Sequence, residues 1–132
     1  MRFIVMAIMT KESAAAPPPK PEAFVAMQEY NEKAVKAGVL LAAEGLTPKG
    51  TRVKFSGDKR TVTDGPFAES KELIAGFSII KADSLEDAIE WVKRAPNVSP
   101  NGEGLVEIRK LMDIEDFGPG FTPNEEIAKV KY

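Results

Sequence analysis

The opening MRFIVMAIMT carries two interleaved apolar sets: Phe3, Val5, Ala7 and Met9 on one side of an extended chain, Ile4, Met6 and Ile8 on the other. Side chains alternate across a strand, so Arg2 to Met9 is predicted as a strand that is apolar on both faces. Thr10 to Lys20 follows, with three consecutive prolines at Pro17, Pro18 and Pro19; these stop helix and strand alike. A solvated connector is the simpler reading of this stretch, a lid over a pocket the alternative. From Pro21 to Lys36 the period becomes helical, with Phe24, Met27, Asn31, Ala34 and Val35 on one stripe and Gly38 as the stop. Val39 to Glu44 returns to strand. Thr51 to Phe55 and Arg60 to Thr63 flank Ser56-Gly57-Asp58-Lys59, a hairpin signature. A strand from Leu73 to Lys81 precedes a helix capped by Ser84, with Asp87 at the reciprocal position and Leu85, Ala88, Ile89 and Val92 as its apolar stripe. Pro96 ends that helix, and Leu105 to Met112 is the last strand.

The order β-α-β, hairpin, β-α-β is the split βαβ arrangement of an α+β, ferredoxin-like fold with a hairpin inserted at its centre. It predicts an antiparallel sheet with both helices on one face. A chain of 132 residues fits one domain, with a core through about residue 112 and an extension over 113–132. In that extension Thr122-Pro123-Asn124-Glu125 reads as a capping box opening a short helix through Val130, and Phe117 and Phe121 are expected to pack on the body of the domain or on the partner subunit. The strand from Leu73 sets Ile74, Gly76, Ser78 and Ile80 against Ala75, Phe77 and Ile79. A sheet with one wet face should instead alternate apolar with polar. The second face therefore needs a cover, and a second copy of the same sheet, making a homodimer, is the expected one.

Composition narrows the chemistry. Eighteen Lys and Arg against 20 Asp and Glu leave a formal charge of −2, and no long basic run is present, so direct nucleic-acid binding is not expected. There is no cysteine and no histidine. That removes thiolate nucleophiles, Ser-His triads and His- or Cys-ligated metals, and leaves acid–base work to Asp, Glu, Lys or Tyr. No cofactor and no metal is implied. No apolar run approaches the roughly 20 residues of a membrane span, and the opening lacks the form of a secretory signal, so a cytoplasmic protein is expected.

The most individual stretch is TDGPFAESKE, residues 63–72. Asp64 can accept hydrogen bonds from nearby backbone N–H groups, Gly65 permits close backbone, Pro66 pre-sets a helical turn and Phe67 supplies an apolar anchor. The structural reading is a rigid elbow feeding the next strand. The functional reading holds Asp64 at a pocket mouth, with Phe67, Glu69 and Lys71 beside it. On the last strand Val106 and Ile108 suit the helix side, which turns Glu107 and Arg109 toward the other face. An acid and a base inside an apolar barrel must be paired or cost several kcal/mol; a structural salt bridge and ligand binding account for them equally. Glu44 is a third carboxylate at a strand end, Tyr30 offers a hydroxyl, and Asn31 lies within the apolar stripe of its helix, where its amide needs partners.

Taken together, these pieces resemble the YCII-related, DGPF-domain family. The resemblance rests on Asp64-Gly65-Pro66-Phe67 followed by Glu69, Lys71, Glu72 and Gly76-Phe77, on Gly38-x5-Glu44-Gly45-Leu46-x-Pro48, and on Val106-Glu107-Ile108-Arg109. It runs from Met1 to about Phe117. It implies a dimeric α+β barrel, two ferredoxin-like sheets face to face with the helices outside. Smaller relatives carry a His-Asp pair that is proposed as an active site; a chain without histidine cannot carry that pair. Some DGPF-type proteins stand beside, or are fused to, extracytoplasmic-function sigma factors, and other dimeric α+β barrels are cofactor-free enzymes holding small molecules inside. Three functions follow as expectations: a small-molecule-binding or accessory protein, a cofactor-independent enzyme using Asp64 with Glu107 and Arg109, or an interaction module with a sigma-factor-related partner. Whether the protein is an enzyme stays open at this point.

Overall fold

A computed structural model describes residues 1–10, 17–65, 72–99, 101–120, 122 and 124–130. Its elements are β1 (Arg2–Thr10), α1 (Pro21–Lys36), β2 (Leu40–Gly45), β3 (Thr51–Ser56), β4 (Lys59–Asp64), β5 (Glu72–Lys81), α2 (Leu85–Lys93), β6 (Leu105–Lys110), a 3-10 turn (Ile114–Phe117) and α3 (Glu125–Ala128). Four strands form one sheet in the order β2-β5-β1-β6, with every neighbouring pair antiparallel. This is the ferredoxin-like α+β order. Strands β3 and β4 form a separate two-stranded sheet inserted between its halves.

The local signals explain where the helices begin and end. Helix α1 starts with Pro21, whose missing N–H costs nothing there, and carries Glu22 in its first turn and Lys33 and Lys36 in its last. It closes in a Schellman motif: Gly38, at φ 73°, donates its N–H to Val35 O, and Val39 donates to Ala34 O at 2.9 Å. Helix α2 is capped by Ser84, whose Oγ accepts from Asp87 N at 3.1 Å. The hairpin turn places Gly57 at φ 57°, and among the described residues no non-glycine takes a positive φ, the pattern of a type II′ turn.

The core lies between the helices and one face of the sheet. Phe3, Ile80, Ala82 and Ala88 are buried together, with Val5, Val39, Leu40, Val92 and Ile108 packed around them. On α1 the buried position is Ala34, while Phe24 and Val35 are each 58% exposed. The predicted stripe is therefore displaced. Each residue turns a helix by about 100°, so a seam centred on Ala34 leaves Val35 and Phe24 together on one shoulder, roughly 80–100° from the seam, facing outward.

Two irregularities shape the other face. Ala7 pairs with Gly76 and Ile8 with Ile74, so Ala75 is an extra residue in β5. That bulge reverses the alternation beyond it. Ile74, expected on the side of Gly76, Ser78 and Ile80, instead joins Phe77 and Ile79. The second lies in β2, where Leu40 pairs with Ile80 and Ala42 with Ile79. Gly45 meets Gly76 across β2 and β5, and a Cβ on Gly76 would stand 2.9 Å from Glu44 O. Only glycine lets the two backbones come this close.

After β6 the chain is fastened by Lys110, whose Nζ lies 3.0 Å from Asp116 Oδ2 and 3.5 Å from Asp113 Oδ2. The hydrogen bond to Asp116 raises the ammonium's pKa, and a bond from the Asp113 backbone N–H, reinforced by Lys110, lowers that of Asp116. Helix α3 is capped by Asn124, which accepts from Glu126 N at 2.8 Å. The cap thus sits two residues past Thr122, and the helix ends before Val130. Phe117 is 52% exposed; Phe121 lies outside the described residues.

Candidate functional site

The register places three ranks of side chains across the face of the sheet that turns away from the helices. Glu44, Phe77, Met6 and Glu107 stand in one rank, Ala42, Ile79, Ile4 and Arg109 in the next, and Ile74, Ile8 and Leu105 in a third. The middle is apolar and the margins carry charge. Met6 and Ile79, on the central strands, are buried, whereas Ile74 and Leu105 are 46% and 53% exposed.

Val106 and Ile108 alternate with Glu107 and Arg109 along β6, and Ile108 packs on the core cluster. Glu107 and Arg109 therefore share the outer face, separated along the strand by roughly 7 Å. Both are exposed, and neither belongs to an ion pair among the described residues. Glu44 faces the same way from the opposite edge. Three strand spacings lie between it and Glu107, roughly 14 Å. The two carboxylates bracket the apolar centre without forming a proton-sharing pair.

Asp64 is elsewhere. It ends β4 opposite Thr51 and accepts a hydrogen bond from Thr51 Oγ1 at 2.9 Å, while Gly65 N donates to Gly50 O at 2.7 Å. Its carboxylate is exposed and closes the open end of the hairpin. Phe67, Glu69 and Lys71 lie outside the described residues.

Tyr30 and Asn31 belong to the helix layer, on the other side of the sheet. Tyr30 donates its hydroxyl to the backbone oxygen of Trp91 at 2.7 Å and so ties α1 to α2. Partial burial pushes its pKa up, with the Arg94 guanidinium acting in the opposite sense. Asn31 is half-buried, and no buried side-chain N or O among the described residues lacks a partner. The described candidate residues thus separate into three places: Glu44, Glu107 and Arg109 on the outer sheet face, Asp64 at the hairpin base, and the helix layer, where Tyr30 lies between α1 and α2 and Asn31 follows it on α1. Phe77, Met6 and Ile74 complete the outer face. Ile74 could not be placed there from its alternation, because the Ala75 bulge leaves no mark in composition.

Among the described residues no group of three or more Asp or Glu side chains could hold a metal ion, and no helix is long and apolar enough to cross a membrane. What the outer face offers is an apolar floor with an acid and a guanidinium at one margin and an acid at the other. Such a surface can hold a small molecule with an apolar body and polar ends.

The family model described as YCII-related domain matches residues 1–115, from the start of β1 into the 3-10 turn. An uncharacterized protein of Rhizobium meliloti strain 1021 is 36% identical over 100 residues, covering 74% of this chain and 77% of that protein.

Proposed function

The chain belongs to the YCII-related family, and on that premise we propose that it is a small-molecule-binding accessory protein that works as a homodimer. Two copies lay their outer sheet faces together, and the ligand sits between them. The observation that carries this reading is the composition of that face. Its contiguous apolar ranks end in exposed Ile74 and Leu105, the kind of patch that marks an interaction surface. Glu107 and Arg109 stand at its margin without ion-pair partners among the described residues, positioned to orient polar ends of a ligand. The exposed Asp64, hydrogen-bonded to Thr51 at the hairpin base, favours binding over acid–base turnover.

Sedimentation equilibrium at micromolar concentration tests the assembly: the expected species has twice the 14.4 kDa mass of the chain. Ile8→Glu, which puts a charge in the apolar rank, is expected to return a monomer with the same far-ultraviolet circular dichroism. A 14.4 kDa species for the unaltered protein would sink the proposal. A thermal-shift screen of small organic acids and amides tests the binding. Compounds that tighten the association of the two copies are expected to lose that effect in Arg109→Gln or Glu107→Gln, and tightening that survives both changes would move the ligand off this face.

A further inference from the structure

On the far side of the sheet, α1 and α2 leave a groove of about 450 Å3 between them. That size falls within the roughly 300–1,000 Å3 of small-molecule sites. Helix α1 contributes Glu29, Tyr30 and Lys33; α2 and the residues after it contribute Trp91, Arg94 and Pro96. The Tyr30 hydroxyl, bonded to Trp91 O, fixes the two walls relative to each other. The Arg94 guanidinium lies over the Trp91 ring, 4.8 Å from its centre, a cation–π contact, and its five N–H donors suit a planar anionic partner.

The charges are the second observation. Lys36, Lys93, Lys110 and Lys129 each reach a carboxylate within 3.6 Å. Lys33 and Arg94, the two cations of the groove, reach none among the described residues. Glu29, one turn before Lys33, is the only acid of the lining among the described residues, so the groove carries one net positive charge. An aromatic wall, a planar guanidinium and an ammonium together suit a flat ring bearing one carboxylate. The guanidinium can take the carboxylate in a bidentate fork, the ring can lie against Trp91, and Glu29 disfavours a second negative charge.

We propose that the groove between α1 and α2 binds planar aromatic monocarboxylates, with Arg94 and Lys33 holding the carboxylate and Trp91 the ring. This site is separate from the sheet face, and neither proposal depends on the other.

Trp91 is the only tryptophan in the chain, so its fluorescence reports on the groove directly. Titration of the full-length protein with benzoate is expected to give a saturable change. Benzamide, which keeps the ring and loses the charge, should bind about tenfold more weakly, as should benzoate to the Lys33→Gln/Arg94→Gln double variant. Phthalate, with two charges, should also fall below benzoate, and Arg109→Gln should leave the benzoate curve unchanged. The absence of a saturable change with benzoate overturns the proposal, as does equal affinity for benzamide. Unchanged benzoate binding by the double variant overturns it too. Both altered side chains are exposed, and a double variant that failed to fold would still leave the benzoate-to-benzamide ratio of the unaltered protein to decide.

Discussion

Strands β1 and β5 each have a hydrogen-bonded neighbour on both sides, whereas β3 and β4, among the described residues, have only each other. Both regions nevertheless carry apolar alternation. In the hairpin, Val53 pairs with Val62 and Phe55 with Arg60, on the face shared by Thr51 and Asp64; Arg52, Lys54, Lys59, Thr61 and Thr63 take the other face. In the sheet the same kind of pattern buries Phe3 to 2% and Ile80 to 4% exposure. In the hairpin every residue is exposed, Phe55 to 69%. Alternation states which side chains travel together. It does not state what covers them. A lone two-stranded ribbon is marginal in water, so local devices must hold this one: the Gly57 turn, the Arg60 guanidinium 4.4 Å from the Phe55 ring centre, and the Thr51–Asp64 hydrogen bond.

The contrast is broken most severely in the sheet. Phe3→Ala opens a cavity in the core cluster and is expected to cost about 3–5 kcal/mol in urea unfolding. A loss below about 1 kcal/mol would mean that Phe3 packs no better than an exposed residue. Gly76→Val comes next. Its new Cβ would meet Glu44 O at 2.9 Å, and β2 must shift to admit it, at an expected cost of about 1–3 kcal/mol. Unchanged stability would show that β2 and β5 are not held this closely.

Much of this fold is legible in the sequence because its signals are local. Pro21 and Gly38 bracket α1 through their own backbone chemistry, Ser84 caps α2, and Gly57 sets the hairpin turn. The side of the sheet taken by Glu107 and Arg109 is legible too, since Ile108 between them packs on the core, with Val106 on the same side of the strand. What escapes is whatever pairing decides. Alanine at 75 fits a regular strand and a bulge equally, so only its neighbours on β1 send Ile74 to the outer face. Thr122 and Asn124 are both good N-cap residues, and the sequence alone does not choose between them. The Tyr30–Trp91 bond joins residues 61 apart, beyond the reach of any local rule, so the inter-helix groove leaves no motif.

The hairpin itself offers a sharper test. Phe55→Ala removes an exposed ring and its contact with Arg60, and is expected to cost no more than about 1 kcal/mol. The value should also be the same at low and high protein concentration. A loss above about 2 kcal/mol that grows with concentration would show that a second chain buries the Val53, Phe55 and Val62 face. The hairpin would then resemble the sheet as proposed above, with its cover supplied from outside the protomer.

The smallest effect is expected at Asp64, where charge and hydrogen bonding can be separated. Asp64→Asn retains an oxygen for the Thr51 hydroxyl, so it should change stability by less than about 0.5 kcal/mol. Asp64→Ala removes the acceptor and Thr51→Val the donor. Each should cost about 0.5–1 kcal/mol, and the double variant should cost no more than either alone, because both remove one and the same bond. Additive losses would mean that the two side chains stabilise the hairpin independently. An equal loss for Asp64→Asn and Asp64→Ala would point to the negative charge rather than the bond, since both remove the charge and only the alanine removes the acceptor. A folded Asp64→Asn variant that also lost affinity for a compound bound by the unaltered protein would transfer Asp64 from the scaffold to the binding site.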